Sequence, residues 1–324
     1  MKAAVLFPGE NMPRFTDSFP EPVAHNQDQV IIQVKATAIK QLDKSIAAGQ
    51  HYSSSGATAA AKVPGGDGVG LLADGTRVYA LGITGMLAEK AVVEKSKMIK
   101  VPDGIEDVIA AALPNAVAGS AMALRFRAEM KAGETILING ATGFTGKIAV
   151  QIAKHYGAGK IIVTGRNKQT LESLLALGAD EIVPTGQDAE SFTAQIRNIH
   201  HQTPIDIVLD YLWGETAELI LAVLKGKGVF TPKTRFIAIG SLRGDKISLS
   251  SQILRSVDLQ LSGSGLGSWS KAQMQTLITE IIPQAFELAA SHQLKVDTVS
   301  VELKDIENIW DRELSGGKRL VVTI

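Results

Sequence analysis

The chain has 324 residues, enough for two domains at about 100–200 residues each. Its 33 basic and 33 acidic residues cancel, so charge gives no reason to expect a nucleic-acid or anionic-membrane partner. It contains no cysteine, which excludes disulfides, thiol catalysis and cysteine-ligated zinc.

The opening MKAAVLFPGE lacks the basic-then-apolar pattern of a secretory signal and reads as a short strand and turn. No apolar run is expected to approach the roughly 18 residues of a membrane helix, so a cytoplasmic location is the expectation. Up to about Val101 the apolar stretches are short: Ala3–Phe7, Val30–Val34, Arg77–Ala80, Leu87–Val93 and Met98–Val101. Gly- and Pro-bearing turns separate them, at Pro8-Gly9, Pro64 to Gly68, Asp74-Gly75 and Pro102 to Gly104. Short strands punctuated this way predict an irregular β domain, in the manner of a barrel. Ile105–Met130 is Ala-rich and reads as helical, with Pro114 starting or interrupting a helix.

From Glu134 the pattern alternates. Strands are predicted at Thr135–Ile138, Lys160–Thr164, Glu181–Val183, Ile205–Leu209 and Phe236–Ile239, with helices of ten or so residues between them. That alternation implies βαβ units and a parallel sheet, to which Leu259–Ser262 adds a sixth strand. A long helix follows near Lys271–Ala290. The strand-like Val296–Val301 and Arg319–Ile324 share the texture of the first domain, so the C-terminus is expected to return to it.

The strand Thr135–Asn139 runs directly into Gly140-Ala141-Thr142-Gly143-Phe144-Thr145-Gly146 and then into an amphipathic helix. A glycine turn between a buried strand and a helix suits a dinucleotide, because the diphosphate must reach backbone N–H groups at a helix N-terminus with no Cβ in the way. The spacing is G-x-x-G-x-x-G. The second strand ends in Thr164-Gly165-Arg166-Asn167-Lys168, where an NAD site would place an acid for the ribose hydroxyls. Arg166 and Lys168 can instead pair with a 2′-phosphate, so NADPH/NADP+ is the expected cofactor. The Gly140–Lys147 stretch is one residue too long for a P-loop, and Ile148 stands where it needs Ser or Thr. The adjacent His200 and His201 face different ways on a helix and read as a solvated helix end.

With these pieces in place, the chain resembles the zinc-free medium-chain dehydrogenases/reductases of the quinone-oxidoreductase (zeta-crystallin-like) group. The likeness rests on landmarks in order: Pro64 to Gly70, Asp74 to Tyr79, Gly85 to Glu89, Val101 to Gly104, the glycine turn, Leu177 to Asp180, Asp206 to Tyr211, and Gly317-Lys318. It implies an α/β architecture: a GroES-like β-barrel catalytic domain over 1–118, a Rossmann cofactor domain over 119–266, and a segment over 267–324 rejoining the first domain. It also implies a homodimer. Zinc members of the superfamily carry Cys in the segment Lys40-Gln41-Leu42-Asp43 and Gly-His-Glu in place of Gly65-Gly66-Asp67, so the resemblance implies that no metal is used. Without a Lewis acid the substrate must already be electrophilic, as quinones and α,β-unsaturated carbonyl compounds are.

The resemblance also places site residues. Lys40 stands where quinone reductases usually have Asn; it either faces the nicotinamide and stabilises enolate charge or pairs with Asp43. Tyr52 matches a tyrosine that often lines the substrate pocket, as a proton donor or an aromatic wall. Asp43 and Asp67 read as structural. Gly119 and Ser120 fall in the segment that touches the nicotinamide amide in relatives. Ile239-Gly240-Ser241 and the Ser264 region lie at strand ends where such folds bind ligands. A reductase of enoyl thioesters and a non-catalytic NADPH-binding sensor or structural protein are the competing readings.

Overall fold

The computed structural model describes residues 1–51 and 60–324. Its packing divides the chain into two units, Met1–Pro114 with Ile278–Ile324, and Asn115–Leu277.

The first unit is built on strands. β1 (Ala3–Val5) pairs antiparallel with β2 (Arg14–Thr16). A second sheet gathers β3 (Gln29–Ala38), β4 (Asp67–Leu71), β5 (Arg77–Leu81), β6 (Lys90–Glu94) and β7 (Ile99–Lys100). The strand expected at Leu87–Val93 begins later, because Leu87 and Ala88 serve the core beside β1 before pairing with β3 starts at Lys90. Gly68 and Gly70 let β4 cross β3 closely: a Cβ on either would come 2.7 Å from a β3 carbonyl oxygen. A short helix, α1 (Gln41–Ala47), follows β3 directly.

α2 (Asp107–Met122) comes next and carries Pro114 in its interior, rather than at its start. A wider turn of helix, Ala123–Arg127, extends it to 21 residues. By length and composition this helix passes for a membrane span, which corrects the expectation that no apolar run approaches that length. Its apolar character has a nearer cause, since 72% of the apolar window is buried inside the fold.

The second unit is a doubly wound domain. Its strands are β8 (Thr135–Asn139), β9 (Lys160–Gly165), β10 (Glu181–Pro184), β11 (Ile207–Asp210), β12 (Thr234–Ala238) and β13 (Leu259–Gly263). All pair in parallel in the order β10-β9-β8-β11-β12-β13. Counted within the unit this is 3-2-1-4-5-6, the Rossmann order, whose reversal point lies beside its first strand, here β8. The helices α3 (Phe144–His155), α4 (Lys168–Leu175), α5 (Ala189–Gln202) and α6 (Gly214–Leu224) form the crossovers. Strands covered on both faces must be apolar throughout, and β8 and β11 are buried at every position.

The chain then returns to the first unit. β14 (Thr298–Glu302) and β15 (Arg319–Thr323) join its larger sheet, in the order β14-β15-β3-β4-β5-β7 with β6 on β3. Ala3, Val5, Leu87, Ile306 and Trp310 share one core there, so the two chain ends close a single GroES-like domain.

Candidate active site

The glycine turn is held by a polar network beneath it. Asn139, the last residue of β8, donates from Nδ2 to Asp210 Oδ1 at 2.8 Å and to Thr216 Oγ1 at 3.1 Å. Its Oδ1 accepts from Thr164 Oγ1 at 2.6 Å, and Thr164 Oγ1 in turn accepts from Gly140 N at 3.1 Å. Asp210 also accepts from the backbone N–H groups of Leu212 and Trp213. Burial raises the Asp210 pKa, and these hydrogen bonds pull against it. The network ties the ends of β8, β9 and β11 to α6. None of its side chains stood out in the sequence as a site residue, because each is far from its partners along the chain.

The three turn glycines do different work. Gly140 sits at φ +89°, where a side chain is strained, and a Cβ there would lie 2.7 Å from Leu212 Cγ. A Cβ on Gly146 would run into the Ala141 backbone, so that glycine lets α3 pack against the turn. Gly143 is exposed, has an ordinary φ of −79°, and a Cβ on it would meet nothing within 4 Å. It caps the 12-residue helix α3 without a side-chain hydrogen bond. Thr142 packs against Gly165, where any Cβ would collide with it. Phe144 is buried and Thr145 half-buried in the first turn of α3.

At the end of β9, Arg166, Asn167 and Lys168 are all exposed. Asn167 caps α4, accepting from Thr170 N at 2.8 Å, so its side chain already has a structural task. Neither Arg166 nor Lys168 forms an ion pair among the described residues, and the absence of an acid at this strand end is complete through Lys168.

Further residues gather at the strand ends on the other side of β8. A Cβ built on Gly119, in α2, would lie 3.7 Å from Ile239 and Thr145 side chains and 3.9 Å from the Tyr211 ring. Ile239 and Gly240 both donate backbone N–H groups to the Asp210 carbonyl, at 2.8 and 3.2 Å, and Ser241 is exposed just beyond. Two residues expected to contact a ligand have partners within the protein. The Ser120 hydroxyl is buried and donates back to Ala116 and Val117 of its own helix. Ser264 is buried, and its Oγ accepts from Trp269 Nε1 at 3.0 Å. In that helix segment Gly119, not Ser120, faces the turn.

In the first unit Lys40 is 3% exposed and lies among oxygens. Its Nζ donates to Ala38 O at 3.0 Å, pairs with Asp43 Oδ2 at 3.0 Å and forms a very short ion pair with Asp67 Oδ1. The other Asp67 oxygen takes a short hydrogen bond from the Tyr79 hydroxyl, and Asp43 also accepts from the Lys40 and Gly66 backbone N–H groups. Burial alone would lower the Lys40 pKa, but the two carboxylates outweigh it and hold the ammonium above the ordinary lysine value. Burial, then the Asp67 charge, pushes the Tyr79 phenol well up. Arg319, on β15, feels the same two carboxylates, although burial pulls it down to about 10. Two cations thus face two anions. Lys40 pairs with Asp43, and Asp43 and Asp67 are ion-pair partners as well as hydrogen-bond acceptors. Tyr52 lies outside the described residues.

This set does not suit zinc. Zinc needs deprotonated Cys, His or carboxylate ligands around an open cation position, and here a protonated amine already holds both carboxylates. Among the described residues no three His, Asp or Glu side chains cluster as a metal site would require. His200, at the end of α5, uses Nδ1 to accept from Ile205 N at 3.0 Å, so it staples the following loop rather than standing free in solvent.

A family model described as zinc-binding dehydrogenase matches residues 145–282. The chain is 25% identical to the probable NADPH-dependent quinone reductase tdiC of Emericella nidulans, over 96% of both. It is 32% identical over 221 residues to erythronolide synthase EryA2 of Saccharopolyspora erythraea, covering 67% of this chain and only 6% of that synthase. Among solved structures, Escherichia coli quinone oxidoreductase complexed with NADPH superposes with a TM-score of 0.81 at 22% identity, over 98% of this chain and 99% of that one.

Proposed function

We propose that this chain, a medium-chain dehydrogenase/reductase similar to the quinone oxidoreductases, transfers hydride from NADPH to quinones or α,β-unsaturated carbonyl compounds without a metal. The observation that carries this reading is the open N-terminus of α3 at Gly143, flanked by a strand end that bears Arg166 and Lys168 and no acid. Backbone N–H groups and the positive end of the α3 dipole hold a diphosphate there. Arg166 offers a planar fork to the 2′-phosphate, with Lys168 as a second charge. Gly140, Gly146 and Gly165 keep the turn compact, and the Asn139–Asp210 network stops it from opening. Gly119, Ile239, Gly240 and Ser241 border the other half of the cofactor.

When bound, NADPH supplies the hydride, and the substrate's own conjugation makes it electrophilic enough to accept it. Lys40 and Tyr52 remain the side chains proposed to act at the reacting carbonyl. All three Lys40 N–H groups are engaged, so it reaches a substrate oxygen only by releasing Ala38, Asp43 or Asp67. In place it holds the two carboxylates neutralised, which no bound cation then needs to do. The protein is proposed to work as a homodimer.

Mixing the protein with NADPH and a panel of quinones and enones tests the reading, followed by loss of the reduced-nicotinamide absorbance. Turnover with at least one substrate, unaffected by a chelator, is expected. Binding of NADPH with no oxidation across the panel would leave a non-catalytic NADPH-binding protein. The likeness to a 221-residue stretch of a large synthase favours one second reading, reduction of a thioester-activated enone by the same conjugate addition. An enoyl thioester in the panel decides between them by the ratio of kcat/KM values.

A further inference from the structure

Among the described residues two buried hydroxyls have no hydrogen-bond partner, Tyr211 Oη and Ser262 Oγ. Both belong to the second unit, at the carboxyl ends of its strands: Tyr211 follows β11, and Ser262 is the fourth residue of β13. Tyr211 is the larger anomaly, since the residue is 6% exposed and its phenol oxygen is sealed from solvent. A buried hydroxyl left unpaired is costly, whereas phenylalanine would fill the same space without that penalty. The oxygen therefore calls for a partner that the protein itself does not supply. Burial raises the Tyr211 pKa, so the group stays protonated and can donate.

The surroundings indicate which partner. A Cβ built on Gly119 would lie 3.9 Å from the Tyr211 ring edge and 3.7 Å from the side chains of Thr145, in the first turn of α3, and Ile239, just after β12, so these residues surround one point. In the sheet, β9 with Arg166 lies on one side of β8 while β11 and β12 lie on the other. A dinucleotide crossing at the β8 turn, with its adenosine 2′-phosphate at Arg166, places its other half over β11 and β12.

We infer that the Tyr211 hydroxyl is a positioning group that donates a hydrogen bond to the nicotinamide-ribose half of bound NADPH. This rests on the cofactor reading above. Tyr211→Phe removes the oxygen and keeps the ring. NADPH and adenosine 2′,5′-bisphosphate, which lacks the nicotinamide half, are titrated by calorimetry into the wild type and this variant. The variant is expected to lose about five- to tenfold in NADPH affinity, the size of one hydrogen bond, with bisphosphate affinity unchanged. The ligand-free variant should melt at the same temperature or higher, because an unpaired hydroxyl has been removed; a purely structural role would lower it. Equal NADPH affinity in both proteins, or an equal loss for both ligands, overturns the inference while leaving the cofactor reading standing. A wild type that binds neither ligand overturns the cofactor reading, and this inference with it.

Discussion

In the first unit, Lys40, Asp43, Asp67, Tyr79 and Arg319 neutralise one another, and each Lys40 N–H has an oxygen. In the second, Asn139, Thr164 and Asp210 knit the strand ends together just as tightly, yet the turn above them stays open at Gly143 and Tyr211 goes unpaired. The Lys40 ammonium finds all its partners within the protein, whereas the Tyr211 hydroxyl finds none there. Both place polar atoms away from water, and the difference lies in whether the protein supplies the partners.

The largest effect should come from breaking the closed cluster. Lys40→Met leaves Asp43 and Asp67 buried with one compensating cation fewer, and removing one partner of such a pair costs about 3–5 kcal/mol. Urea denaturation measures it, and adding Asp67→Asn should recover part of the loss, because the second change deletes the stranded charge. A cost for Lys40→Met within about 0.5 kcal/mol, as at an ordinary surface site, would mean that the cluster is not closed. The open cluster should answer differently at two of its glycines. Gly146→Ala forces a Cβ into the Ala141 backbone and should cost about 1–3 kcal/mol of stability. Gly143→Ala meets no neighbour and should cost at most about 1 kcal/mol, the difference between Gly and Ala at a helix cap. It should nevertheless weaken NADPH binding by about tenfold or more, since the diphosphate must approach that position. Equal stability losses at the two glycines would contradict the separate tasks assigned to them.

The smallest effect tests a third buried polar group. Neutral His200 accepts from Ile205 N, and burial lowers its pKa from 6.5. With a folded value below the unfolded one, its contribution is full above about pH 6.5 and is lost as pH falls through the folded value. His200→Gln should remove that acid-side loss, by less than about 1 kcal/mol. Denaturation midpoints compared at about pH 7.5 and about pH 5.5 read it out, and an unchanged pH dependence would count against it.

Much of the second unit was legible from the chain. Buried parallel strands are continuous apolar runs, helices have their own period, and a glycine turn between them is a local signal, so β8, the turn and α3 could be read as a block. The return of the C-terminus was readable from texture, and β15 beside β3 is where it arrives. What stayed hidden depends on distant pairs. Lys40 and Asp67 are 27 positions apart and Asn139 and Asp210 are 71 apart, and no period or motif joins them. The engagement of Ser120 and Ser264 was hidden for the same reason, since a hydroxyl's partner is chosen by packing. Asp107–Arg127 shows the reverse limit: an alanine-rich helix reaches membrane-span length and apolarity while 72% of its apolar window is buried inside the fold.

On the proposed reading, the strand end at Gly165–Lys168 selects a phosphorylated dinucleotide. Titrating NADPH and NADH into the wild type and Arg166→Ala tests it most directly. The wild type should bind NADPH more tightly than NADH, and the variant should lose about tenfold or more for NADPH, the weight of a charge-assisted pair, with little change for NADH. Equal losses for the two cofactors, or a wild type that prefers NADH, would contradict it.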